Sequence, residues 1–292
     1  MTTSSKYQPQ QKIAQYIEEM PSLSTTAIKV IEICNQAVPC PRALNQAISL
    51  DPVLTGQILK LVNSAYFSLR HKITTLIHAI TMLGINTVKN LTLSSAIMSC
   101  NRRNRELDTT IEIFWNHSLS VAVTARELAS INSISGAQSE DFFIAGLLHD
   151  IGKLAMLDCF TEAYKEYINF SSLRNRDSLK KEREIFTLNH CECGLQIADK
   201  WQLPTPLKDV IKNHHNSVKT IKSPDKILLK LVTAANNFTN YNNLLNSDAN
   251  NDESKKLNLL ARISGIPAGN IPSFQNKIAD EILKAQVFLQ IE

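Results

Sequence analysis

The chain has 292 residues, 43% hydrophobic and 20% charged, with eight glycines and only 6% aromatics. That length supports two or three compact units, and the scarcity of glycine and aromatics disfavours a sandwich or barrel. A net charge of +4 is too small to imply nucleic acid, the first residues lack an apolar signal region and no apolar run reaches about 18 residues, so a cytoplasmic protein without a nucleic-acid or membrane partner is expected.

The predicted elements are helices throughout, and the fold class is read as all-α. "LSTTAIKVIEICNQA" sets Leu23, Ala27, Val30, Ile31 and Cys34 along one stripe. "LNQAISLDPVLTGQILKLVNSAYF" reads as two helices broken at Asp51-Pro52, with the aspartate as N-cap and the proline as first helical residue. "ITTLIHAITMLGINTVKNLTLSSAIM" adds two more around Gly84. This first part, residues 13–100, has no acidic residue near His71 or His78 and reads as a helical packing or binding module.

A polar gap at 100–108 precedes a second helical part, residues 109–240. The asparagine-rich stretch 236–256 reads as a loop once its helix ends, and residues 255–292 as a helix, a Gly/Pro linker and a terminal helix. The basic clusters "NRRNR" (101–105) and "KKER" (180–183) read as solvated faces. The six cysteines include no CxxC pair and are expected to be free thiols. In "HCEC", Cys191 and Cys193 sit two apart on a helix and so diverge, which disfavours sulfur ligation of a metal.

Five of the seven histidines lie in the second part, each on the apolar face of a predicted helix. Ile113, His117, Val121, Thr124 and Leu128 recur at steps of three or four, and a lone histidine so placed is more often a core residue than a ligand. "GLLHDIGKL" (146–154) puts His149 and Asp150 inside an apolar run, with Lys153 spaced to project to the same side. Thr187, His190, Gly194 and Ile197 align in a third helix. Val210, Ile211, His214 and His215 share a stripe in a fourth that starts near Pro206. A fifth, capped by Ser223 and begun by Pro224, lines up Leu229, Val232 and Asn236. Each histidine alone is weak evidence. Five buried faces that each carry a metal-competent residue or a near substitute favour convergence on a metal within a helical bundle.

These residues carry a resemblance. "DPVLTGQILKLVNSAYFSLRHKITTLIHAITMLGINTVKNLTL", "FWNHSLSVAV", "AGLLHDIGKL", "LNHCECGLQIADKWQLP" and "VIKNHH" resemble the HDOD domains (HD-related output domains) of the HD metal-dependent phosphohydrolase superfamily, over residues 13–240. The resemblance implies a multi-helical HD-domain-like bundle preceded by an N-terminal helical subdomain, in a bacterial signalling module. Against the related HD-GYP phosphodiesterases of cyclic di-GMP, it assigns one metal position to His117, His149, Asp150 and Asn236, and a second to Asp150, His190, His214 and His215. Lys153 matches the lysine of the HDxGK motif. Two departures weaken the enzyme pattern: Asn236 stands where a carboxylate is expected, and Ile113 where a glutamate is. The Gly-Tyr-Pro signature after the double histidine is also absent, which argues against cyclic di-GMP hydrolysis.

The resemblance therefore implies one divalent transition ion (iron, manganese, zinc or nickel) on His117, His149, Asp150, His190, His214 and His215, with Asp150 and Lys153 as catalytic candidates. Three functions follow from it. The first is a regulatory module that binds a signalling protein or a small phosphorylated ligand. The second is a metal-dependent phosphohydrolase acting on a nucleotide or other phosphoester. The third is a helical adaptor with a vestigial site.

Overall fold

Asp51 separates two helices by chemistry that is local to it. Its carboxylate accepts a hydrogen bond from the Leu54 N–H at 2.9 Å, and Pro52 takes the first helical position, where its missing N–H costs nothing. The computed structural model describes residues 4–34, 36–100, 108–134, 138–171, 178–216, 225–247 and 253–290. The described residues form helices, turns and loops with no strand, so the fold is all-α. The chain divides into two compact units, each discontinuous in sequence.

The first unit comprises Met1–Ser22 and Leu148–Leu229. It contains α1 (Ser4–Glu19), α9 (Gly152–Cys159), α10 (Thr161–Ser171), α11 (Ser178–Phe186), α12 (His190–Lys200) and α13 (Thr205–Asn213). α12 packs on α9 and α13, and α1 covers α9 and α12. Lys200 Nζ secures the end of α1 by donating to the Ile17 carbonyl at 2.6 Å and the Glu18 carbonyl at 2.5 Å. Trp201 Nε1 donates to the Pro21 carbonyl at 3.2 Å. The α9–α12 crossing is close because Gly152 faces α12. A Cβ on Gly152 would collide with the His190 carbonyl and lie 2.5 Å from Gly194 N.

The second unit comprises Leu23–Leu147 and Lys230–Glu292. Its elements are α2 (Thr25–Cys34), α3 (Pro41–Ser49), α4 (Pro52–Val62), α5 (Leu76–Leu83), α6 (Ile85–Cys100), α7 (Asp108–Ile131), most of α8 (Ser139–Leu148) and of α14 (Lys226–Ser247), α15 (Glu253–Ser264) and α16 (Ile271–Ala285). Ala27, Val30, Ile31 and Cys34 of α2 are buried as the stripe requires, and Gly84 ends α5 at φ 84°. Asn63 holds the loop after α4: its amide donates to the Leu59 and Ile73 carbonyls at 2.7 and 2.8 Å, and its oxygen accepts from Ile73 N–H at 2.7 Å. Each such bond contributes about 1 kcal/mol.

The C-terminal helices belong to this core. Phe274, Ile278 and Phe288 are buried, and the Phe288 ring meets Tyr66 and Phe143 at 5.0 and 4.9 Å. Beside them Arg126 of α7 is ringed by carboxylates, with Glu281 at 2.8 Å, Glu127 at 3.5 Å and Glu140 at 3.7 Å, while its guanidinium lies 4.2 Å over the Tyr66 ring.

Several local expectations are corrected. The asparagine-rich stretch is helical as far as Ser247, because α14 continues that far; residues 248–252 lie outside the described set. So do "NRRNR", Ser223 and Pro224. The capping of α14 falls to Asp225, whose side chain accepts from Leu228 N–H at 3.0 Å. Ile113 does not face the core with His117; it is 63% exposed.

Candidate metal centre

His149 and Asp150 do not sit within one continuous helix. α8 stops at Leu148, α9 starts at Gly152, and the pair occupies the turn between them. The turn is held by Ile151 N–H donating to the Leu148 carbonyl at 3.1 Å and Lys153 N–H to the Asp150 carbonyl at 2.8 Å. His149 and Asp150 are both fully buried. An isolated carboxylate would ionise there only at great cost, so its surroundings must supply compensating charge and donors.

Those surroundings come from α9, α12 and α13. Lys153 Nζ lies 2.5 Å from Asp150 Oδ2, and His149 Nε2 is 3.2 Å from the same oxygen. His190 Nε2 and His214 Nε2 each lie 3.3 Å from Asp150 Oδ1, and 3.4 Å from each other. Burial works against the charge of Asp150, but His149 and Lys153 outweigh it and hold its carboxyl well below the usual range. Burial likewise opposes the charge of Lys153, and Asp150 overcomes it, so the ammonium stays protonated above its ordinary value.

The histidine tautomers follow from their outer hydrogen bonds. His214 Nδ1 faces the Val210 and Ile211 carbonyls, both at 3.1 Å. A carbonyl only accepts, so Nδ1 carries the proton and Nε2 presents a lone pair. Burial pushes His214 down to about 4, so the ring is neutral at physiological pH. His190 Nδ1 meets Glu182 Oε2 at 2.7 Å, and the same oxygen accepts the His190 N–H at 2.8 Å. Glu182 is itself buried and takes a further bond from the Tyr167 hydroxyl at 3.2 Å. Carboxylate–histidine pairs of this kind orient metal-binding imidazoles and raise their basicity. Burial lowers the proton affinity of His190, yet Cys191 and Glu182 lift it to about 10. A positive charge, proton or metal ion, is therefore favoured at its Nε2.

Asp150 Oδ1, His190 Nε2 and His214 Nε2 thus form a nearly equilateral triangle with edges of 3.3, 3.3 and 3.4 Å. Ligands held at about 2.0–2.1 Å around a tetrahedral ion lie roughly 3.3–3.4 Å apart, whereas adjacent ligands of an octahedral ion at that bond length lie about 2.9 Å apart. The donor set fits a divalent transition ion, and its spacing matches a tetrahedral one.

Of the residues read from the sequence, His149, Asp150, Lys153, His190, His214 and His215 are brought together in the first unit. The two adjacent histidines differ: His214 is buried as the residue that ends α13, whereas His215 is exposed. Thr187 is not on the His190 face, because it precedes α12 with φ 65°, and Asn189 starts that helix through a capping box with Glu192. His117 and Asn236 lie on α7 and α14 in the second unit, His117 half-buried and Asn236 buried.

Two residues of the centre escaped the sequence reading. Glu182 was absorbed into the solvated "KKER" cluster, although Lys180 and Arg183 are exposed while Glu182 turns inward. Its signal was its place between Leu179 and Phe186, at helical spacing from both. Cys191 was set aside with Cys193 as divergent. The two do diverge, but Cys191 joins His190, His214 and His215 in a group whose ligand atoms lie within 4.8 Å of one another.

A protein of Treponema pallidum, itself uncharacterized, is 27% identical over 208 residues, covering 70% of this chain and 39% of its own length. The chain thus spans about two fifths of that relative. A Shewanella amazonensis protein, provisionally described as a phosphohydrolase, superposes with a TM-score of 0.73 at 21% identity, covering 96% of this chain and 98% of the other. A Marinobacter aquaeolei protein, provisionally described as a signal transduction protein, superposes with a TM-score of 0.69 at 15% identity, covering 98% and 66%. Both structures share the all-α fold. The HDOD domain model matches residues 20–217, most of the chain, and the chain belongs to the HDOD domain family.

Proposed function

We propose that the chain is a regulatory module of bacterial signal transduction whose first unit holds one divalent transition ion and recognises a protein partner or a small anionic ligand. The observation that carries this reading is the triangle of Asp150, His190 and His214, with its edges of 3.3, 3.3 and 3.4 Å and Lys153 on the other carboxylate oxygen. His149 and His215 border it. An ion in this pocket, flanked by Lys153, gives the centre a positive field that favours anions such as phosphate or carboxylate.

Regulation is preferred to turnover because the residues for hydrolysis are incomplete. Hydrolysis needs a metal-activated water and a base to accept its proton. Asn236 offers a neutral amide where the resemblance expects a carboxylate, and Glu182 is committed to His190. The second reading, a mononuclear phosphohydrolase with Asp150 and Lys153 at its centre, is favoured by one observation: Lys153 Nζ is already fixed beside the carboxylate that would bind the ion.

The deciding measurement is metal content by plasma mass spectrometry on untagged protein, against a His190→Ala variant. About one equivalent of transition metal is expected in the wild type and its loss in the variant. Absence of metal from both overturns the reading. A phosphoester panel follows: metal-dependent release of phosphate replaces regulation with the hydrolase reading, and its absence from loaded protein supports regulation.

A further inference from the structure

Resting on this metal-centre reading, we infer that Cys191 is a thiolate ligand of the ion and that the centre is a closed, four-donor site for a thiophilic metal. Cys191 Sγ lies within 4.8 Å of the ligand nitrogens of His190, His214 and His215, and the thiol is buried at 4% exposure. It occupies the second residue of α12, directly after His190. The capping box of Asn189 and Glu192 fixes that turn, and Gly152 lets α9 approach it closely enough to bring Asp150 to the same imidazoles.

The triangle of Asp150, His190 and His214 has the edges of one face of a tetrahedron and leaves one vertex to fill. His190 and His214 belong both to that triangle and to the group of residues that holds Cys191. A sulfur at the fourth vertex needs a longer bond, about 2.3 Å against 2.0–2.1 Å for nitrogen. Formation of the metal–sulfur bond releases the thiol proton to solvent. His215, the exposed member of the group, is then not required as a ligand.

Two consequences separate this site from a hydrolytic one. A carboxylate and a thiolate together cancel the charge of a divalent ion, so Lys153 and not the ion becomes the local positive group. Four protein donors also leave no position for water, the arrangement of structural rather than catalytic zinc. The ion is then of the thiophilic class, zinc, iron(II) or cobalt(II), in preference to manganese or magnesium. The module then answers to occupancy of the site by such an ion.

Cobalt(II) titration of the chelator-stripped full chain tests this. Intense visible bands of tetrahedral cobalt are expected together with a sulfur-to-cobalt charge-transfer band in the near ultraviolet. Cys191→Ser should lose the ultraviolet band and bind cobalt at least tenfold more weakly, while Cys40→Ser keeps the band. Visible cobalt bands without the sulfur band in the wild type overturn the inference and leave the metal centre standing as an open histidine–aspartate site. No cobalt binding at all overturns the metal-centre reading itself. X-ray absorption on the zinc-loaded wild type needs no variant: one sulfur at about 2.3 Å supports the inference, and a shell of nitrogen and oxygen alone refutes it.

Discussion

Each unit buries charge, and the two do so in opposite ways. In the second unit Arg126 meets Glu127, Glu140 and Glu281, and Lys277 reaches Glu127 at 2.6 Å, so the protein supplies its own cations. In the first unit Lys153 takes one carboxylate oxygen of Asp150, and the other faces two imidazole nitrogens whose outer nitrogens are already committed. The first arrangement is satisfied internally and reads as structure. The donor types of the second suit a transition metal. Buried charge is thus not itself a sign of function; the sign is a buried carboxylate and imidazoles whose metal-competent atoms converge.

The sharpest way to break that comparison is to remove the cation of the second unit. Arg126→Ala should destabilise by about 3–5 kcal/mol in urea titration, because buried carboxylates lose their partner, and metal stoichiometry should be unchanged. A comparable loss of bound metal would mean that the two charge clusters are not separable.

The next effect is a pH dependence confined to the Arg126 cluster. Burial raises Glu140 to about 7, since Arg126 is shared with other carboxylates and offsets only part of the cost. The folded state then binds a proton that the unfolded state has released between about pH 4.5 and 7, so stability falls as pH rises through that window and levels off above it. The predicted loss is roughly 3 kcal/mol. Glu140→Gln should flatten this slope relative to wild type and be the more stable protein at pH 8; identical slopes would contradict the assignment.

In the first unit the corresponding change is Glu182→Gln, which keeps the shape and removes the charge behind His190. Zinc affinity should fall about 10–100-fold, with metal stoichiometry at saturating zinc preserved. An unchanged affinity would reduce Glu182 to a packing residue. The smallest effect is expected from Asn189→Ala, which removes the cap of the helix that starts at His190. It should cost about 1 kcal/mol in thermal or urea unfolding, with only a modest change in metal affinity.

Much of this was written locally in the sequence. Helical periodicity, the Asp51-Pro52 break and the Gly84 stop depend on backbone sterics and short-range capping, and the structure places them as read. His149, Asp150, Lys153, His190 and His214 were likewise legible, because polar residues on apolar faces need an explanation wherever they occur. Tertiary structure decided what spacing cannot express. Glu182 and Lys180 are neighbours in one charged run, yet only Glu182 turns inward, because α11 presents that side beside Tyr167 and His190. Cys191 and Cys193 diverge on α12 as geometry demands, but only the fold determines which of them meets the imidazoles. His214 and His215 part at the end of α13, one buried and one exposed. Periodicity fixes which residues share a face of their own helix, whereas a metal centre is made of distances between helices, and those depend on packing such as the close approach at Gly152.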